Sequence, residues 1–472
     1  MSRISKGRYA WVACALVLIL TACSGATPSF NPTGSSRSTV HTLGHSDVVY
    51  IFKGGRDGGV PYANLLAGSN GEFYGTTNRG GGAAFCTAGC GTVFGVSPTG
   101  TEKVLYRFQG GNDGLGAEAG LSAGNGGVLF GTTDYGGGAT FCDLGCGTVF
   151  ELTPSGSRYT ERIVYAFQGA ADGAIPSGNL LIDKNGALYG TTDLGGGSTK
   201  CVGVPSAPGG CGTVFKLTPS GSKYTETILH RFQAGRDGAL PADGLIADTS
   251  GALYGTTQYG GGATGCTSAS GTSGCGTVFK LTPSHSGYIE SVLYSFRGGT
   301  SDGSQPRSAL SRGNGSTKQL YGTTVNGGGS GCGGLGCGTV FEVGTSGGER
   351  VLYSFGAVSG DGVQPRDQNG LYADSNGAFY GTTPIGDSAK TRCGTVFRLT
   401  PAGSGYTESI LYSFQGARRG DGCRPYASLT ESAGTLYGTA SEGGLRRNDG
   451  IVFQLSTTKS KQGRVLSKNH IE

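Results

Sequence analysis

The residues able to do chemistry come in sets. Twelve cysteines follow Cys23, and ten fall in pairs: Cys86/Cys90, Cys142/Cys146, Cys201/Cys211, Cys266/Cys275 and Cys332/Cys337. Each pair precedes a Gly-Thr-Val-Phe segment. In an oxidising compartment such pairs form local disulfides. Zinc is the alternative, and it usually takes four donors in fixed geometry. A spacing of four to ten positions, with His41, His45, His230, His285 and His470 scattered, argues against it. No metal and no cofactor is expected. Cys393 stands where a second cysteine belongs and lacks the usual partner, while Cys423 lies in the following Asp-Gly segment. In a four-stranded meander those two loops open on one face, which predicts a Cys393–Cys423 bond.

Aspartate recurs before glycine at Asp57, Asp113, Asp172, Asp237, Asp302, Asp361 and Asp421. The expected role is a side-chain-capped turn, with glycine at positive φ. Calcium would need six to eight oxygens, and one carboxylate per copy is few. Charge breaks the pattern late in the chain: Lys390 and Arg392, then Arg418, Arg419 and Arg424, then Arg446 and Arg447. These form a candidate basic patch for an anionic partner such as an acidic polysaccharide, a lipid headgroup or phosphate. Solvated arginine is the plainer reading. No catalytic constellation shows along the chain, although carboxylates could converge across copies. The lone tryptophan is Trp11, so sugar platforms would fall to Tyr62, Tyr135 and Tyr259.

The elements that must position these residues repeat seven times. Tyr-Gly-Thr-Thr or a close variant begins at Tyr74, Phe130, Tyr189, Tyr254, Tyr321, Tyr380 and Tyr437. Around each lie a Val/Ile-Leu-Tyr-x-Phe run, a weak strand near the Asp-Gly turn, and Gly-Thr-Val-Phe. Each element is short, rich in β-formers and bounded by turn residues, and helical periodicity is absent. Four strands per copy and seven copies predict an all-β, seven-bladed β-propeller. The Val48–Phe52 strand would complete the last blade and close the ring. An open solenoid is the rival, but its coils are usually shorter and need caps.

Leu-Tyr-Gly-Thr-Thr-x-x-Gly-Gly followed by Gly-Thr-Val-Phe-x-Leu-Thr-Pro resembles the GloVer (Gloeobacter/Verrucomicrobia) tandem repeat of exported bacterial proteins. The resemblance covers about residues 48–455 and implies export without implying an activity.

The ends give an address. Arg3, Lys6 and Arg8 precede a short apolar run, and Leu20-Thr21-Ala22-Cys23 resembles a bacterial lipobox. Residues 1–22 thus read as a lipoprotein signal, with Cys23 lipidated; an ordinary cleaved signal is the alternative. Residues 23–45 read as a flexible tether, 46–456 as the propeller and 457–472 as a disordered tail. Ser24 after the cysteine implies outer-membrane sorting. Three of the 36 basic residues and none of the 31 acidic ones lie in the signal, leaving +2. That balance excludes a global field for nucleic acid. The expectation is a monomeric envelope lipoprotein, held to the membrane by its lipid, that binds an anionic polysaccharide or other envelope component. A passive scaffold and a polysaccharide-active enzyme are the alternatives.

Overall fold

The computed structural model describes residues 47–456, apart from 157, 202–208, 242, 269–270, 314–317, 359, 367–369, 387–391, 404, 417–419 and 445–447. Its strands form seven antiparallel, four-stranded blades of a β-propeller. In the fourth blade Ile246–Ala247, Leu253–Thr257, Thr277–Ser284 and Gly287–Ser295 run as a meander from the innermost strand outward. In the seventh, Thr430–Ser432, Thr435–Ala440 and Ile451–Ser456 are followed by Asp47–Ile51 from the other end of the chain, with Val48 opposite Phe453. The predicted closure is therefore present, and the outer edge of the last blade is paired.

The repeated residues hold neighbouring blades together. The phenylalanine of Leu-Tyr-x-Phe meets the phenylalanine of Gly-Thr-Val-Phe in the next blade edge-on. This happens at Phe52–Phe94, Phe108–Phe150, Phe167–Phe215, Phe232–Phe279, Phe296–Phe341, Phe355–Phe397 and Phe414–Phe453, with centroids 5.0–5.1 Å apart. Such pairs contribute about 0.5–1.5 kcal/mol each beyond the area they bury. The glycine of Tyr-Gly-Thr-Thr makes room for that ring. A Cβ on Gly190 would stand 2.6 Å from Phe215 Cζ, so the position needs a missing side chain rather than an unusual φ.

The two threonines have separate tasks. The first donates to a carbonyl in the segment leading into the innermost strand of the next blade: Thr76 to Ala119 at 2.8 Å, Thr191 to Asp243 at 2.9 Å, and Thr439 across the closure to Ala63 at 2.8 Å. The second pairs with the threonine of Gly-Thr-Val-Phe, as in Thr133···Thr148 and Thr257···Thr277, both 2.8 Å. Ala440 and Ile451 replace both partners in the seventh blade. An apolar pair there leaves no orphaned hydroxyl.

The Asp-Gly turns differ from expectation in one respect. Their aspartates do cap the loop: Asp57 accepts from the Lys53 N–H at 2.7 Å and from the Tyr50 hydroxyl at 2.6 Å. The glycine, however, has positive φ only at Gly58, Gly173 and Gly238, not at Gly114, Gly303, Gly362 or Gly422. Packing sets the requirement instead. A Cβ on Gly303 would lie 2.6 Å from Thr324 and 2.8 Å from Thr339, so this glycine sits directly on the threonine pair.

Six disulfides are formed. Five are the local pairs, and the sixth is Cys393–Cys423, which joins the sixth and seventh blades across 30 residues. They fit an oxidising, extracytoplasmic setting. Among the described residues no helix is long and apolar enough to cross a membrane.

Candidate functional site

Each blade delivers one side chain to the axis by the same device. The residue just before the innermost strand's proline takes a left-handed conformation: Val60, Ile175, Leu240, Gln305, Gln364 and Arg424 all have φ of 56–59°. That costs about 1–2 kcal/mol for a residue with a Cβ. A specific hydrogen bond holds it. Ile175, Leu240, Gln305, Gln364 and Arg424 donate their N–H to the carbonyls of Cys146, Cys211, Cys275, Cys337 and Cys393 at 2.7–2.9 Å. In the first blade Val60 uses the Asp449 carbonyl at 2.7 Å. The second cysteine of each pair is thus part of the turn that aims the next residues inward, and its disulfide fixes that cysteine. Strain concentrated this way marks a site that the surrounding structure over-determines.

What the turns aim differs from blade to blade. After the proline, or Ala117 in the second blade, come Tyr62, Glu118, Ser177, Ala242, Arg307, Arg366 and Tyr426. After the threonine pair come Asn78, Asp134, Asp193, Gln258, Val325, Pro384 and, behind Ala440, Ser441. Residues from all seven blades line one cavity of about 280 Å³, which places it on the axis. That is close to the lower end of small-ligand sites. Its lining includes Tyr62, Glu118, Asp134, Ser177, Asp193, Asp243, Arg307, Arg366 and Tyr426.

The cavity is polarised. Glu118, Asp134 and Asp193 come from the second and third blades. Asn78 donates to Glu118 Oε1 at 2.8 Å, and the Ser177 hydroxyl donates to Asp193 Oδ1. All three are half-buried and line the cavity. Burial, with the Asp193 charge second, pushes the Glu118 carboxyl up to about 7. Burial pushes Asp193 up to about 6, while Ser177 and Arg307 pull it back. Asp134 is raised well above the carboxylate range by burial and then by Glu118 and Asp193. Arg307 and Arg366 come from the fifth and sixth blades. Burial and then Arg307 lower the Arg366 pKa, and Arg366 Nε is buried with no hydrogen-bond partner among the described residues. Neither arginine forms an ion pair among those residues. Between the two walls, the Tyr62 and Tyr426 rings stand 5.5 Å apart and tilted. Burial, followed by the Glu118 charge, pushes the Tyr62 phenol up to about 12.

Of the basic residues singled out from the sequence, only Arg392 and Arg424 are among the described residues, and neither lines the cavity. Lys390, Arg418, Arg419, Arg446 and Arg447 fall outside the described residues, as does Cys23. Arg392 is exposed. Arg424 is exposed, pairs with Glu442 at 3.2 Å, and its charge is felt by Arg366. Of the three candidate tyrosine platforms, Tyr62 lines the cavity, whereas Tyr135 and Tyr259 do not. Besides Asp243, five charged side chains line the cavity, and none was picked out from the sequence. Their signal was available in the residue after each inner-strand proline and after each threonine pair, two positions where the copies disagree most.

The Gloeobacter/Verrucomicrobia repeat matches residues 29–265 and 262–469. The chain belongs to this repeat family. No curated protein matches it. Solved structures of related shape include a 6-phosphogluconolactonase candidate from Bacteroides uniformis, with 12% identity, TM-score 0.47, and coverage of 83% of this chain and 95% of that one. Another is a puromycin hydrolase, at 12% and 0.49, covering 84% of this chain and 52% of that one. A gluconolactonase from Xanthomonas campestris gives 12% and 0.39, covering 87% and 89%. At such identities and overlaps they carry nothing about this member's chemistry.

Proposed function

We propose that this member of the repeat family is an exported, lipid-anchored binding protein whose axial cavity holds an acidic saccharide. The observation that carries the reading is the division of that cavity into an arginine wall and a carboxyl wall. Arg307 and Arg366 form no ion pair among the described residues, and a guanidinium suits a carboxylate bidentately. The carboxyl wall offers acceptors and, where protonated, donors for sugar hydroxyls. Tyr62 and Tyr426 provide flat apolar area beside both walls, as a sugar face requires. Arg366, with its Nε unpartnered among the described residues, would give the ligand's anionic group its partner. Tethering through Cys23 would keep the ring at the envelope, where acidic glycans are exposed.

A second reading, a polysaccharide-active enzyme, is favoured by the adjacent Glu118 and Asp193. Burial raises both, and a carboxyl near 7 can serve as a general acid. A saturation-transfer NMR screen with uronic-acid oligosaccharides and neutral sugars separates the readings. Saturation of an intact acidic sugar supports binding. Hydrolysis of that sugar supports the enzyme. Equal saturation by neutral sugars removes the acidic-ligand proposal.

A further inference from the structure

Away from the axis, six of the seven blade junctions contain a second repeated cluster. A tyrosine on an outer strand donates to the aspartate of the Asp-Gly turn, as Tyr165 does to Asp172 at 2.8 Å. A glutamate on the outer strand of the next blade, such as Glu226, is close enough to feel that aspartate's charge. The third blade alone among the seven places histidine at the tyrosine position, and the cluster becomes His230, Asp237 and, from the fourth blade, Glu290.

We infer that His230, Asp237 and Glu290 form a binding site for a divalent transition metal of the zinc class. His230 Nε2 lies 3.0 Å from Asp237 Oδ1, and one ligand atom from each of the three residues lies within 4.8 Å of the others. A tetrahedral ion with bonds of about 2.0–2.2 Å spaces its donors about 3.3–3.6 Å apart, so the widest pair would close by roughly 1 Å through side-chain rotation on binding. The donors are available. The second Asp237 oxygen is held by the Gln233 N–H at 2.6 Å, which leaves Oδ1 directed at the imidazole. Glu290 Oε1 is shielded from solvent and has no hydrogen-bond partner among the described residues. The Phe232 ring stands edge-on to the imidazole at 4.7 Å and limits its rotation. The His230 and Asp237 side chains keep 20% of their surface exposed, so an ion can enter and water can fill a fourth position.

The other junctions act as built-in controls. A phenol is a metal ligand only after losing its proton, and at Tyr165 burial and then Asp172 raise the phenol pKa. A neutral imidazole needs no ionisation to bind zinc. One residue change therefore turns a structural hydrogen bond into a nitrogen donor beside two carboxylates. The cysteines do not compete, because all twelve in the ring are in disulfides.

The test is isothermal titration of the untagged chain with zinc chloride, with metal content measured after gel filtration. One equivalent of zinc is expected. His230→Tyr restores the residue found at the other six junctions, so it should fold and bind no zinc; Glu290→Gln should bind at least tenfold more weakly. His285→Ala should bind as wild type. Zinc should raise the melting temperature of wild type but not of His230→Tyr. No stoichiometric uptake by wild type, or undiminished uptake by His230→Tyr, would overturn the assignment.

Discussion

Asn78 donates to Glu118 Oε1 at 2.8 Å, across the junction between the first and second blades. The two residues occupy different variable positions of the repeat: Asn78 follows Thr76-Thr77, and Glu118 follows Ala117 ahead of the innermost strand. The axial cavity is thus assembled between blades, and its acidity depends on their packing.

Binding of an acidic sugar should weaken as pH rises. Glu118 is pushed up to about 7 and Asp193 to about 6, both mainly by burial. Below those values the wall is largely neutral, while the sugar carboxylate is already ionised. Above them the wall carries charge of the ligand's own sign. Affinity for a uronate should fall severalfold between pH 5 and pH 8 by calorimetry, and Glu118→Gln should flatten the profile. An affinity that rises over this range would contradict the polarised cavity.

The ring itself should lose stability over the same range. Glu102, Glu161, Glu226, Glu290 and Glu349 are raised to about 7, and Glu408 to about 8, by burial and then by an aspartate of the preceding blade. Between about 4.5 and those values the folded chain binds protons that the unfolded chain has released. Stability therefore declines with rising pH. The contribution is fully present below about 4.5 and lost once pH passes about 8. The melting temperature should be higher at pH 5 than at pH 8.5, and Glu408→Gln should melt above wild type at the higher pH. A melting temperature independent of pH would count against these junctions.

The threonine pairs predict a coupling. Thr148→Val should cost about 1 kcal/mol by removing one partner of a buried hydroxyl. Thr133→Val should cost more, because Thr133 also donates to the Tyr135 carbonyl at 2.8 Å. The double variant should lose less than the sum, since Ala440 and Ile451 show that an apolar pair fits this position. Urea denaturation of the four proteins measures the coupling, and strict additivity would mean that the hydroxyls do not act as a pair.

Disulfides should matter to the site as well as to the fold. Closing the 30-residue Cys393–Cys423 loop should contribute about 3–4 kcal/mol, against about 2 for a four-residue loop such as Cys86–Cys90. The Cys337 carbonyl holds the left-handed Gln364 at 2.7 Å, one proline away from Arg366. Replacing Cys332 and Cys337 with serine should therefore weaken ligand binding severalfold while circular dichroism stays native. Unchanged affinity would mean that the turn is aimed without the bond.

The blades were legible because the copies repeat the same packing: a glycine under a phenylalanine ring, and a threonine pair (Ala440 and Ile451 in the last blade) on an Asp-Gly glycine. Cys393–Cys423 was legible because one copy lacked a partner and the next had a surplus. The cavity was harder to see. Arg307 and Glu118 come together only when the ring closes, and nothing along the chain measures a distance across the axis. The left-handed turns were hidden too. Valine, isoleucine, leucine and glutamine give no sign of positive φ, and it is the cysteine or aspartate carbonyl from elsewhere that imposes it. The basic loops drew notice through composition, whereas Arg307 and Arg366 stood one to a copy.

The central claim rests on Arg366, whose Nε is buried with no hydrogen-bond partner among the described residues. The most direct measurement is calorimetric titration of a uronic-acid oligosaccharide into wild type and Arg366→Gln at pH 6. Wild type should bind the sugar, and Arg366→Gln should bind it at least tenfold more weakly, with an unchanged melting curve. Equal affinity in the two proteins, or no binding by wild type, would contradict the account.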